Sequence, residues 1–230
     1  MKTITLPDGR EISYEIVRKN IRSIIFRIKQ DGVVYVSASP RVTEGYIEEL
    51  LSKRGAHLLE SAERLRRREE RSEIGADNVN WLGGSYPVRV YSSFRECAAI
   101  EQSECRVFTM RTDDREHIAE LIRRMVAERF AALCGELDRE VRDGLAAGGL
   151  TPPPTRITIK DMSSRWGSCS YNRGHISINI RLAAYPRETV LSVLWHEYAH
   201  YWHHDHSERF YAFLERFFPE YRRWNGLLKG

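Results

Sequence analysis

Over the first forty residues, apolar positions recur in short β-prone runs. Residues 2–6 and 11–17 flank the turn signal Pro7-Asp8-Gly9, and residues 23–30 and 33–38 flank Asp31-Gly32, a dipeptide suited to a tight hairpin. Pro40 closes this group, and from about Thr43 the period changes. Tyr46, Ile47, Leu50, Leu51, His57, Leu58 and Leu65 fall at helical spacings and predict a helix, whose tail over residues 64–71 is a solvated run of mixed charge. Strand patterns return at residues 79–82 and 86–91, with Gly83-Gly84 as the turn between them, and again at 96–101 and 105–110.

The longest helix of the chain follows, with Asp113 or Asp114 as its N-cap. Ile118, Leu121, Ile122, Met125, Val126, Phe130, Leu133, Leu137, Val141 and Leu145 form one apolar stripe at spacings of three and four; His117 lies off it and reads as a surface histidine. Gly148-Gly149 ends the helix and Thr151-Pro152-Pro153-Pro154 makes a stiff connection. The expected organisation is a β-rich region with one helix over residues 1–112, then the long helix and a compact catalytic block over 113–230. No internal repeat is visible in the sequence.

The histidines decide where the chemistry lies. Six of the eight fall between His175 and His206, and five of those between His196 and His206. Among them is His196-Glu197-Tyr198-Ala199-His200, an H-E-x-x-H motif preceded by an apolar stretch suited to a buried helix. Residues four apart share one helix face, so His196 and His200 can offer imidazoles to one zinc ion, with Glu197 beside it as general base. Burying two histidines and a carboxylate without such a partner would be costly.

A catalytic zinc takes three protein ligands and keeps one position open. His203, His204 and His206 are the nearby candidates for the third. On a continued helix His203 would lie about 10 Å along the axis from His196, too far for a shared ion, so the chain must turn first. Asp205-His206-Ser207 has the composition of that turn, with Asp205 or Ser207 capping a further helix through Phe210, Phe213, Leu214 and Phe217. His206 is therefore the favoured third ligand, and Glu215 on the following helix is the lesser alternative.

Composition changes this picture little. The chain has 230 residues with 36 basic and 32 acidic side chains, a formal net charge of +4. That balance permits a nucleic-acid partner without indicating one. The four cysteines form no CxxC pair, which argues against both a disulfide framework and a cysteine zinc site; Cys169 reads as a packing residue. Neither a signal peptide nor an apolar run long enough for a membrane span is evident, so a cytoplasmic location is expected. The sequence leaves the oligomeric state open.

Upstream of the H-E-x-x-H segment lie Arg165-Trp166-Gly167-Ser168-Cys169-Ser170, then a β-prone run reaching Ile178-Asn179, then Pro186; downstream lie His206-Ser207 with Phe210, and Pro219 with Tyr221. Together these resemble the YgjP-like metallopeptidase family, related to the SprT-like and WLM zinc proteases. The resemblance spans essentially the whole chain, although only its carboxy-terminal motifs are specific. Tyr198 departs from the leucine usual at its position, and Tyr211 from a common tryptophan.

The resemblance implies an α+β chain with a zincin-like domain: a small sheet over the H-E-x-x-H helix, zinc held by His196, His200 and His206, and Glu197 as base. The expected activity is hydrolysis of peptide or protein substrates, Glu197 taking the proton of a zinc-activated water and passing it to the leaving amine. Tyr211, Tyr201, Arg165 and His203 are candidates for stabilising the oxyanion. The strand over residues 176–180 is expected to offer a sheet edge to an extended peptide. Three alternatives stand beside this reading: a metal-dependent nucleotide pyrophosphatase, a nucleic-acid-associated protease or binding module, and a scaffold in which zinc is structural.

Overall fold

A computed structural model describes residues 1–28, 32–72 and 74–228. Among them are three sheets and five α-helices, an α+β architecture. The turn expected at Asp31-Gly32 and the end of the strand expected to reach Gln30 fall on residues 29–31, outside the described set. The chain divides into two compact units, residues 1–70 and 71–230.

In the first unit, β1 (Lys2–Thr5), β2 (Glu11–Arg18), β3 (Ile25–Ile28) and β4 (Val34–Ala38) form a sheet in the order β1-β2-β4-β3. The outer pairs are antiparallel and the central pair β2–β4 is parallel. Alternation sends Ile12 and Tyr14 of β2, and Val34, Val36 and Ala38 of β4, to one face. There they meet Leu6 and, from helix α1 (Glu44–Ser72), Ile47 and Leu51. Among the side chains described in α1, the buried ones fall in its first half, which fits the charge run in its tail.

The second unit opens with the same pattern. Strands β5 (Asn78–Trp81), β6 (Gly84–Ser92), β7 (Cys97–Glu101) and β8 (Glu104–Thr109) take the order β5-β6-β8-β7, again with antiparallel outer pairs and a parallel central pair, and helix α2 (Arg115–Ala147) follows. A four-strand-plus-helix topology is thus repeated without a visible sequence repeat, because strand order rests on long-range pairing. The sheet packs Val79, Trp81, Cys105 and Val107 into the same core as the α2 stripe. The boundary expected at 112/113 consequently falls inside the second unit, between a sheet and the helix that covers it. Asp114 caps α2, its carboxylate accepting the His117 amide proton at 3.0 Å. His117 is not a free surface histidine: its Nε2 lies 2.5 Å from Glu96 Oε2.

A third, smaller sheet comprises β9 (Arg156–Lys160), β10 (Gly167–Ser170) and β11 (His175–Asn179) in the order β10-β11-β9. Strand β11 is central, paired antiparallel with β10 and parallel with β9. The sheet edge expected at residues 176–180 is therefore already occupied, and β10 is an edge strand instead. Gly174 turns the chain between them at φ 57°, and a Cβ there would lie 2.4 Å from the Pro154 carbonyl oxygen. Pro186 then opens α3 (Arg187–Ala199), followed by α4 (Glu208–Phe217) and α5 (Tyr221–Gly226). Helix α3 is buried on nearly every side, as its apolar sequence requires: α2 touches it, as do the β10–β11 hairpin, α4 and α5.

Candidate metal centre

Helix α3 ends at Ala199 with His200 as its C-cap. His196 and His200 lie one turn apart, their ring centroids 5.0 Å from each other. The chain reverses over residues 200–207, where Asp205 Oδ1 accepts the Ser207 hydroxyl at 2.8 Å and Ser207 becomes the N-cap of α4 without a side-chain capping bond. This reversal brings His206 back beside α3. Its ring centroid lies 4.9 Å from that of His196 and 5.0 Å from that of His200. Phe210, fully buried one turn into α4, sits against all three imidazoles at 4.8 to 5.0 Å.

One ring nitrogen from each of the three histidines falls within 4.8 Å of the other two. His196 Nε2 and His206 Nε2 are 3.0 Å apart. Two nitrogens on one tetrahedral zinc would be about 3.3 Å apart, so this donor set fits that ion with little movement. Outer contacts support the same assignment. His200 Nδ1 faces the His203 carbonyl at 3.0 Å, which only accepts, so Nδ1 carries the proton and Nε2 keeps its lone pair. His196 Nδ1 faces the Tyr221 hydroxyl at 2.9 Å. Burial first, then the neighbouring His200 and His206, pushes His196 down to about 3, holding it in the neutral form that binds metals. Among the described residues no fourth His, Cys, Asp or Glu joins the cluster.

Glu197, the chain neighbour of His196, is 5% exposed. Burial pushes its carboxyl up to about 8, opposed by the nearby Arg165 guanidinium. Strand β10 lies directly against it, for a Cβ on Gly167 would stand 2.5 Å from Glu197 Oε1. Asn179 fixes the approach of that strand. Fully buried, it donates from Nδ2 to the carbonyls of Met162 and Arg165 at 2.6 Å each, and its own amide donates to the Trp166 carbonyl at 2.9 Å. The Arg165-Trp166-Gly167 segment is thereby pinned beside the carboxylate.

The remaining sequence candidates have partners of their own. Glu215 pairs with Arg222. The Tyr201 hydroxyl is held by Thr155 Oγ1 at 2.8 Å, and His203 packs edge-on to Phe213. Tyr211 lies with its ring 6.3 Å from that of Tyr221. The Cys169 thiol is half-buried and pushed up to about 11, chiefly by burial, which suits packing rather than reactivity. Tyr221, Gly167 and Asn179 are the contributors that motif spacing did not single out for a role. A concavity of about 600 Å³ between α2 and β9, lined by Ala131, Ile157 and Ile159 among others, holds none of the three histidines.

A family model described as the YgjP-like metallopeptidase domain matches residues 22–230 of this chain. The chain belongs to that family. The match takes in every residue of the histidine cluster, together with Glu197, Gly167, Asn179 and Tyr221, and leaves β1 and β2 outside it. No curated protein and no solved structure matches the chain. As a YgjP-like protein it is a metallopeptidase, a class that implies a metal ion. No helix among the described residues is long and apolar enough to cross a membrane.

Proposed function

We propose that this YgjP-like protein is a zinc-dependent peptidase of zincin type, with His196, His200 and His206 as metal ligands and Glu197 as general base. The observation that carries the reading is the three-histidine cluster, with no fourth ligand among the described residues and a buried carboxylate next in the chain to His196. A structural zinc would be closed by a fourth ligand, whereas three ligands leave a position for chemistry. Zinc bound there would supply Lewis acidity to water and to the scissile carbonyl.

Glu197 takes the proton from the attacking water and returns it to the departing amine. Its burial serves this role, since a desolvated carboxylate is a stronger base than a hydrated one. Arg165 is the cation nearest in effect to Glu197 and is suited to temper charge developing beside it. An extended substrate would pair with the free edge of β10, whose first residue, Gly167, touches the base.

The direct test is cleavage of an unfolded protein substrate before and after chelation. Hydrolysis abolished by chelator and restored by stoichiometric zinc supports the reading. Hydrolysis indifferent to chelation overturns it.

A further inference from the structure

The two histidines of α3 have different outer partners. His200 Nδ1 meets a main-chain carbonyl, so its tautomer is dictated. His196 Nδ1 meets the Tyr221 hydroxyl, a group able either to donate or to accept. The direction of this one bond determines what His196 presents to the cluster. If the phenol donates, Nε2 carries the proton and aims it at His206 Nε2, 3.0 Å away, in a bond between histidines that shuts out a metal. If the phenol accepts, Nε2 is a free lone pair.

Tyr221 is built into the fold as a fixed partner. It is 3% exposed, and its backbone N–H donates to the Phe218 carbonyl at 2.9 Å. Its ring lies within 18° of parallel to the His196 imidazole, with centroids 6.2 Å apart. The short helix that bears it is tied to the start of α3, where the fully buried Thr189 donates its hydroxyl to the Trp224 carbonyl at 3.4 Å. Helix α5 thus grips α3 at one end and supplies a hydroxyl to His196 further along.

We propose that Tyr221 is the positioning residue of the metal centre: its hydroxyl accepts the Nδ1 proton of His196 and so fixes Nε2 as the lone pair offered to the ion. This rests on the zinc reading above. Tyr221 does for His196 what the His203 carbonyl does for His200. Both partners are uncharged, so they orient the imidazoles without adding negative charge to the site.

Tyr221→Phe removes the hydroxyl and keeps the ring. Zinc affinity, measured by competition with a chromophoric chelator, is expected to fall about 10- to 100-fold, the usual cost of losing an outer-shell partner. The metal-free variant should still unfold in one cooperative thermal transition, and Tyr211→Phe, which removes a neighbouring hydroxyl not bonded to His196, should bind zinc like the wild type. Nitrogen-15 imidazole spectra of the zinc-loaded wild type should show His196 protonated at Nδ1. Wild-type affinity in Tyr221→Phe, or a His196 protonated at Nε2 in the loaded protein, overturns the inference while leaving the zinc reading intact. A wild type that binds no zinc overturns both.

Discussion

At residue scale, the closest juxtaposition in the site is Gly167 against Glu197. A methyl group on Gly167 would lie 2.5 Å from the carboxylate oxygen and 2.8 Å from Cγ, so the side chain of Glu197 must move to admit it. Misplacing a reacting group by about 1 Å can cost about 100-fold in rate. Gly167→Ala is therefore expected to lower kcat by about that factor while retaining zinc, a combination that metal analysis and peptidase kinetics on one preparation would check.

Two buried titrating groups also give the metal-free protein a definite pH response. Glu197 is raised to about 8 from an ordinary 4.5, so between those values the folded state holds a proton that the unfolded chain has released, and stability falls as pH rises. His196 is lowered to about 3 from 6.5, so across that interval the unfolded chain holds the extra proton, and stability rises with pH. The two effects oppose each other from 4.5 to 6.5, and Glu197 acts alone from 6.5 to 8. Metal-free wild type should lose thermal stability across that upper window, and Glu197→Gln should lose less.

The H-E-x-x-H pair and His206 were legible in the sequence because local spacing and the need for a turn constrain where they can sit. Gly167 and Tyr221 were not, since the role of each depends on a contact that only the tertiary structure creates.

At the scale of elements, the site depends on how a loop and a strand are held against α3. Asn179 spans the loop with hydrogen bonds to Met162 and Arg165 and accepts the Arg181 amide at 3.2 Å. Asn179→Leu would remove the hydrogen bonds that this buried amide makes to the Met162 and Arg165 carbonyls and accepts from the Arg181 amide, at about 0.5–1.5 kcal/mol each. Denaturant unfolding should show a loss of about 3 kcal/mol, with zinc binding weakened in the remaining folded protein. The α2–α3 crossing is similarly tight: a Cβ on Gly144 would already stand 3.0 Å from the Trp195 ring.

The stripe on α2 was readable because helical periodicity is local, and every residue assigned to it is buried. The order of the small sheet was not readable. Strand β9 adds itself in parallel beyond β11, and no pattern within residues 175–180 announces that their edge will be taken.

At the scale of the whole molecule, two units have separate cores, and the metal centre lies within the second. Leu6, Ile12, Tyr14, Val34, Val36, Ala38, Ile47 and Leu51 form the core of the first, while every residue of the metal centre belongs to the second. The repeated sheet-and-helix topology explains why residues 1–112 read as one β-rich region with a single helix: similar hairpin signals serve two different cores. Residues 71–230 expressed alone should fold and bind zinc, which circular dichroism and metal analysis would establish. In the full chain, zinc at one hundred times its Kd should add about 2.7 kcal/mol to stability, and His206→Ala should abolish most of that gain.

The central claim is that three histidines hold a zinc ion and Glu197 acts beside it. Its most direct test is zinc content and proteolysis measured together on wild type, His206→Ala and Glu197→Gln. The expected result is about one zinc per chain in wild type and Glu197→Gln, much less in His206→Ala, and cleavage of an unfolded protein by the wild type alone. Full activity in Glu197→Gln, or active wild type purified without metal, would contradict it.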